Sequence, residues 1–231
     1  MGLAMLGAVS QGILWGVMVL GVFITYKLLD IADLTVDGSF ALGGSVCAVL
    51  VVSGVDPVLA IFAAMLAGMI AGAVTGFLHT VFEIPAILAG ILTQIALWSV
   101  NLRIMGKSNT PLLRVDTLFS SVTDATGLPQ NVASIIVGLI FAILIIVALY
   151  WFFGTEIGSA CRATGNNEAM VRALGVDTKV TKMIALTLSN GLVGLSGGLI
   201  CESQGYADIG MGTGAIVIGL AAIVIGEVLW R

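Results

Sequence analysis

Residues 57–82 read PVLAIFAAMLAGMIAGAVTGFLHTVF, a run without one charged side chain. A helix needs about 20 apolar residues to cross the hydrocarbon core of a bilayer. Backbone groups in lipid must find partners inside the segment, and no polar alternation points to a barrel strand, so this stretch reads as a membrane helix. Gly68, Gly72 and Gly76 recur in it every four residues, with Ala64 one turn earlier. That spacing predicts a smooth stripe where a second helix approaches closely. Gly12 with Gly16, and Gly194 with Gly198, repeat it.

Working outward, six more charge-free stretches appear: 1–26, 38–55, 84–102, 125–155, 183–201 and 209–226. The expected fold is all-α, a polytopic transmembrane helical bundle of about seven membrane segments, including short or re-entrant ones, forming a single domain over 1–231. The first stretch is too long for a signal-peptide core and has no basic residue before it, so it reads as a retained span. Two stretches are short and glycine-led: 38–55 after Asp37, and 209–226 with Gly210, Gly212 and Gly214. Such segments are either broken or re-entrant helices beside a pathway, or tightly packed helix starts. Neither a tandem repeat nor an inverted duplication is visible.

Composition agrees. Of 231 residues, 59% are hydrophobic and 10% charged, with a mean hydropathy of +1.15. Soluble domains carry about 25% charged residues. A soluble, disordered, collagenous or disulfide-framework chain is excluded, and membrane lipid is the expected surrounding. The net charge is −4, and no basic run is long enough to follow a nucleic acid backbone. Cys47, Cys161 and Cys201 are far apart and His79 is the only histidine, so neither a metal site nor a cofactor is expected.

Four of the nine basic residues, Arg162, Arg172, Lys179 and Lys182, fall in 156–182. Basic loops stay in the cytoplasm, which puts this segment inside. Parity then puts 103–124 outside, Glu83 inside, Asp56 outside, 30–37 inside and the N-terminus outside. Arg103, Lys107 and Arg114 on the outer side run against the rule. Within the basic loop, Gly165-Asn166 can start a short helix and Gly175 can end it. Glu168 and Arg172 have the spacing of an ion pair, and Met170, Val171 and Leu174 form an apolar ridge. Two turns are unstable alone in water. The helix therefore either docks into a partner's groove or lies on the membrane surface as a connector.

The loop's residues Thr155, Gly158, Arg162-Ala163, Gly165-Asn166-Asn167, Ala169 and Leu174-Gly175-Val176 resemble the cytoplasmic loop of binding-protein-dependent ABC import permeases. The branch is the one serving branched-chain amino acids, ribose-type sugars and nucleosides. Asp33-Leu34-Thr35-Val36-Asp37-Gly38-Ser39 is similar to that branch's early motif, and Gly210 to Glu227 to its late one. The first of these, with Gly205-Tyr206-Ala207-Asp208-Ile209-Gly210, is closest to a subgroup that works with tryptophan/tyrosine-type binding proteins. The late motif has Gly226-Glu227 where the sugar branch has Gly-Gly. The family continues through one or two further spans, whereas the sequence ends at Arg231. A longer native gene is therefore expected, or an unusually exposed 209–231 region, and a chain truncated at this length is expected not to transport.

The resemblance implies a bacterial inner-membrane, multi-pass subunit of an ATP-driven importer. Its partners would be an ABC ATPase subunit, a second permease copy and an extracytoplasmic substrate-binding protein. The segment 156–177 would couple to the ATPase through Glu156, Gly158, Arg162, Gly165, Asn167, Glu168, Met170, Val171, Arg172, Leu174 and Gly175. The solute would be amino-acid-like. Not being an enzyme fits the residues: no Gly-x-x-x-x-Gly-Lys-Ser/Thr loop occurs, so ATP hydrolysis would belong to the partner.

Candidates for the pathway or outer mouth are Asp33, Thr35, Asp37, Ser39, Glu202, Gln204, Tyr206 and Asp208. Ionisable residues at membrane depth point to function, but 30–37 can equally lie in cytosolic water, where Asp37 is expected to cap the helix after it. The 202–208 carboxylates can meet a binding protein or line a solvated loop. Thr93, Gln94, Ser99 and Asn101 bridge helices or line a path. An ATPase-independent carrier or channel would need intramembrane charges, which the spans lack apart from the 30–37 group. An intramembrane enzyme would need a Ser/His or His/carboxylate pairing, which is absent.

Overall fold

The computed structural model describes residues 2–113 and 115–229. Arg114 of the orientation argument lies outside them, as do Met1, Trp230 and Arg231. Helix α1 (Gly2–Phe23) continues into a π-helical turn at Ile24–Leu28. Then come α2 (Thr35–Val52), α3 (Pro57–Thr80), α4 (Ala86–Met105), strand β1 (Asn109–Pro111), α5 (Leu118–Thr126) and α6 (Gln130–Gly154). The chain continues through α7 (Glu156–Asn166), α8 (Glu168–Ala173), α9 (Thr178–Gln204), β2 (Tyr206–Asp208) and α10 (Ala215–Leu229). Among the described residues six helices are long and apolar enough to cross a membrane, and α10 is shorter. The helix α5 and the ribbon pairing β1 antiparallel to β2 had no sequence signal.

The spans end where local chemistry requires. Asp56 accepts the Val58 N–H at 2.9 Å ahead of Pro57, starting α3. Gly106 and Gly205 close α4 and α9 in the left-handed conformation.

Two helices form the axis. The spans α9 and α2 are 83% and 72% buried, whereas α4 and α6 are each 28% buried and lie at the periphery. The glycine stripe of α3 explains how α9 is reached: a Cβ on Gly68 would run into the Asn190 carbonyl, and one on Gly72 into that of Leu186. Gly194 and Gly198 meet the same helix at Ala64. Gly12 and Gly16 do not follow the expectation, since both face open space.

The helix pairs also fix levels. Ser39 meets Asn190 and Cys47 meets Glu202, so α2 runs parallel to α9 and begins level with its middle. On the far side α1 runs the other way, with Leu14 bonded to Ser196 and Gly21 to Ser189. After the ribbon, residues 209–214 descend as turns until Gly214 and Ile216 meet Asp37. From there α10 runs along α1, past Val22 to a Lys27–Glu227 ion pair. It is thus a helix that starts inside the bundle. The broken-helix reading of 209–226 holds. The tight-packing reading holds for 38–55, a continuous helix whose Gly43 abuts the Gly194 carbonyl.

Candidate functional site

The early motif does not lie in open water. Asp33 is 2% exposed, and its carboxylate accepts the Thr35 N–H at 2.9 Å and Asn190 Nδ2 at 2.6 Å. The Ser39 hydroxyl donates to Asn190 Oδ1, and the Thr35 and Thr75 hydroxyls are 2.7 Å apart. Four segments therefore meet in one bonded cluster: the turn before α2, then α2, α3 and α9. Asn190, its hub, was missed in the sequence, where a lone Asn inside an apolar run was the available signal.

Asp37 caps a different helix from the one expected. It sits in the first turn of α2, but its two oxygens accept the N–H groups of Gly214 and Ile216 at 3.0 and 2.9 Å. Those amides are free because they start α10 and have no earlier turn to bond to. The discontinuity of the late motif is thus closed by the early one. Gly212 lies so near that a Cβ would strike the Asp37 carbonyl.

The 202–208 candidates separate. Glu202 is 1% exposed and accepts the Leu118 N–H at 2.8 Å, with Cys47 Sγ at 3.3 Å. It braces α5 against α2 and α9. Gln204, Tyr206 and Asp208 line a cavity of about 410 Å³ with Trp15 and Phe40. Asp208 is held by the Gly210 N–H at 2.8 Å. Glu202 also means that the spans do carry an interior carboxylate.

The basic loop is two helices, not one over 165–175. Thr155 caps α7, which Glu156 opens, by accepting the Gly158 N–H at 3.3 Å. Asn167 caps α8 by accepting the Met170 N–H at 3.0 Å. Gly165 lies inside the end of α7, against the Leu28 carbonyl, where a Cβ has no room. Arg162 donates to the Phe153 carbonyl at 2.9 Å. Glu168 pairs with Arg172 as expected, at 2.7 Å, and with Lys182 of α9 at the same distance. The hydrogen bond from Lys182 holds the Glu168 carboxyl below the usual carboxylate range. Gly175 ends the unit at φ +87°. The ridge divides: Val171 is buried, whereas Met170 and Leu174 are 52% and 74% exposed one helical turn apart. Lys179 pairs with Glu83 at 3.3 Å, which sets the α3–α4 turn on the same side as this loop.

These features define a class: a multi-pass helical membrane protein with an interrupted helix closed near its centre and a braced loop on one side. The family described as branched-chain amino acid transport system / permease component matches residues 4–229, and the chain belongs to it. It is 38% identical over 191 residues to the tyrosine transport system permease protein of Clostridioides difficile, covering 83% of this chain and 62% of that one. It is 30% identical over 168 residues to the ribose import permease protein of Escherichia coli, covering 71% and 50%. A third relative is the autoinducer 2 import system permease protein of Yersinia pestis, 30% identical over 142 residues, 58% of this chain and 36% of that one. The chain thus spans less than two thirds of these relatives' lengths. No solved structure matches it.

Proposed function

We propose that this chain is the membrane-spanning subunit of an ATP-driven ABC importer, with 156–177 as the coupling loop. Energy enters through a partner ATPase that seats Met170 and Leu174 in an apolar groove. A second copy completes the translocation path, and an extracytoplasmic binding protein delivers the solute. The solute is an amino acid, supported by the 38% identity to a tyrosine transport permease.

The observation that carries this reading is the exposure of Met170 and Leu174 on a unit that is otherwise fixed. Caps, the Glu168–Lys182 pair and buried Val171 hold α8 to α9, so a push on the loop reaches the axial helix. Replacing Leu174 with Asp places a charge in the groove and should weaken docking by about 2 kcal/mol or more. Co-purification of tagged chain with the ATPase checks this, and unchanged recovery of the ATPase with Leu174→Asp would remove 165–175 from the interface.

An ATPase-independent carrier is the second reading, favoured by the buried Asp33 carboxylate. Uptake abolished by a protonophore at constant ATP would select it. Uptake lost with ATP depletion at a constant proton gradient selects the importer.

A further inference from the structure

Beside Asp37, the turn 209–214 and the side of α4 that packs on α2 enclose a small polar space. It is lined by Asp37, Gln94, Trp98, Asn101, Ile209 and Thr213, and its volume is about 20 Å³. That is room for one small polar group, since a single water needs roughly 10–15 Å³. Asn101 is 1% exposed, and its Nδ2 reaches only the Gly38 carbonyl, at 3.4 Å. Its Oδ1 is buried with no hydrogen-bond partner. A buried acceptor without a donor costs about 1–3 kcal/mol, so a missing donor is the first explanation to seek.

The lining fixes the chemistry of that donor. Asp37 is acceptor-only when ionised, and Asn101 turns its amide nitrogen toward Gly38, leaving Oδ1 as a second acceptor. No lysine, arginine or histidine is among the lining residues, so a carboxylate or phosphate finds no countercharge. Trp98 is half exposed and supplies an aromatic wall, the kind of surface on which a cation rests well.

We propose that this space is a solute subsite that receives the ammonium group of an amino acid, with Asn101 Oδ1 as acceptor, Asp37 as countercharge and Trp98 as wall. The rest of the solute lies outside the space, along Trp98 and Ile209. The assignment rests on the importer reading and adds the group by which the path recognises its cargo. Asp37 holds the cargo end and the start of α10 together, so filling the subsite bears directly on the interrupted helix.

The test uses the chain in its own host, with the gene deleted and then restored as wild type, Asn101→Leu or Asn101→Asp. Uptake of labelled L-tyrosine and of N-methyl-L-tyrosine, whose nitrogen has one donor fewer, is measured at equal membrane abundance. The binding protein is the same in every strain, so a change in the ratio of the two solutes belongs to the permease. Asn101→Leu should cut L-tyrosine uptake about tenfold and shift the ratio at least threefold toward the N-methyl compound. Asn101→Asp, which keeps acceptor oxygens, should hold the wild-type ratio. Lower uptake by Asn101→Leu with an unchanged ratio would mean that Oδ1 serves an ordered water or packing, and would overturn the subsite. If wild type restores uptake of neither solute while it restores uptake of a sugar, the amino-acid reading and the subsite fall together.

Discussion

Asn190 is the residue on which most of the interior polar chemistry converges. Its amide donates to Asp33 and to the Leu186 carbonyl and accepts from Ser39. Replacing it with Leu leaves the Asp33 carboxylate buried with one bond fewer, at a cost of about 1.5–3 kcal/mol. A lower melting temperature of the detergent-purified protein is expected for Asn190→Leu, and a wild-type value would show that the cluster does not hold the helices. Glu168 gives a pH prediction. Its folded pKa is lowered by Lys182, so the stabilisation it lends the loop is present above the unfolded value, about 4.3 for Glu, and is lost as pH falls through the lowered one. Fluorescence anisotropy of a probe on Met170→Cys should therefore drop on acidification, and the drop should vanish in Glu168→Gln. The pairing of Glu168 with Arg172 was legible in the sequence from spacing alone. The pairing with Lys182 was not, because it joins residues on two separate helices.

Among the elements, α3 and α9 show what spacing can and cannot reveal. The repeat of Gly68, Gly72 and Gly76 identified a contact face, and the structure fills it with α9. The identical repeat of Gly12 and Gly16 faces open space. A stripe of small residues permits a close approach, but the partner must be supplied by the rest of the fold. Gly72→Val should push α9 away from α3, at about 1–3 kcal/mol for overpacking. Gly12→Val should cost nothing comparable. The heat-stable folded fraction of the two variants in detergent checks this, and equal loss would contradict the packing. The two-helix form of the loop has a related lesson. Gly165-Asn166 carries a start signal, but Thr155 and Asn167 are the residues that cap, and Gly165 is needed where α7 presses on Leu28. A glycine that serves a close approach reads, in one dimension, like a glycine that serves a helix end.

For the whole molecule, orientation is the testable consequence. The loop with α7 and α8 should face the cytoplasm, on the strength of its basic residues. A membrane-impermeant thiol reagent should fail to label Leu174→Cys in intact cells and should label it after lysis, and labelling from outside would invert the topology. Leu174 suits the purpose because it is 74% exposed, whereas the Glu168 carboxylate is held by three partners. The family resemblance was legible in three short motifs, and the polytopic helical class and the approximate place of each span were legible in charge-free length. The class and the spans follow from the cost of unbonded backbone and charge in hydrocarbon, which acts on each segment separately. The levels at which the segments sit came from the packing of the helices. Asp33 is buried, Asp37 closes the start of α10, and Glu202 braces α5, because bonds between residues some 80 to 180 positions apart depend on how the helices pack. A carboxylate looks the same in sequence whether water, a helix end or another chain segment takes its bonds, and the packing of the bundle makes that choice.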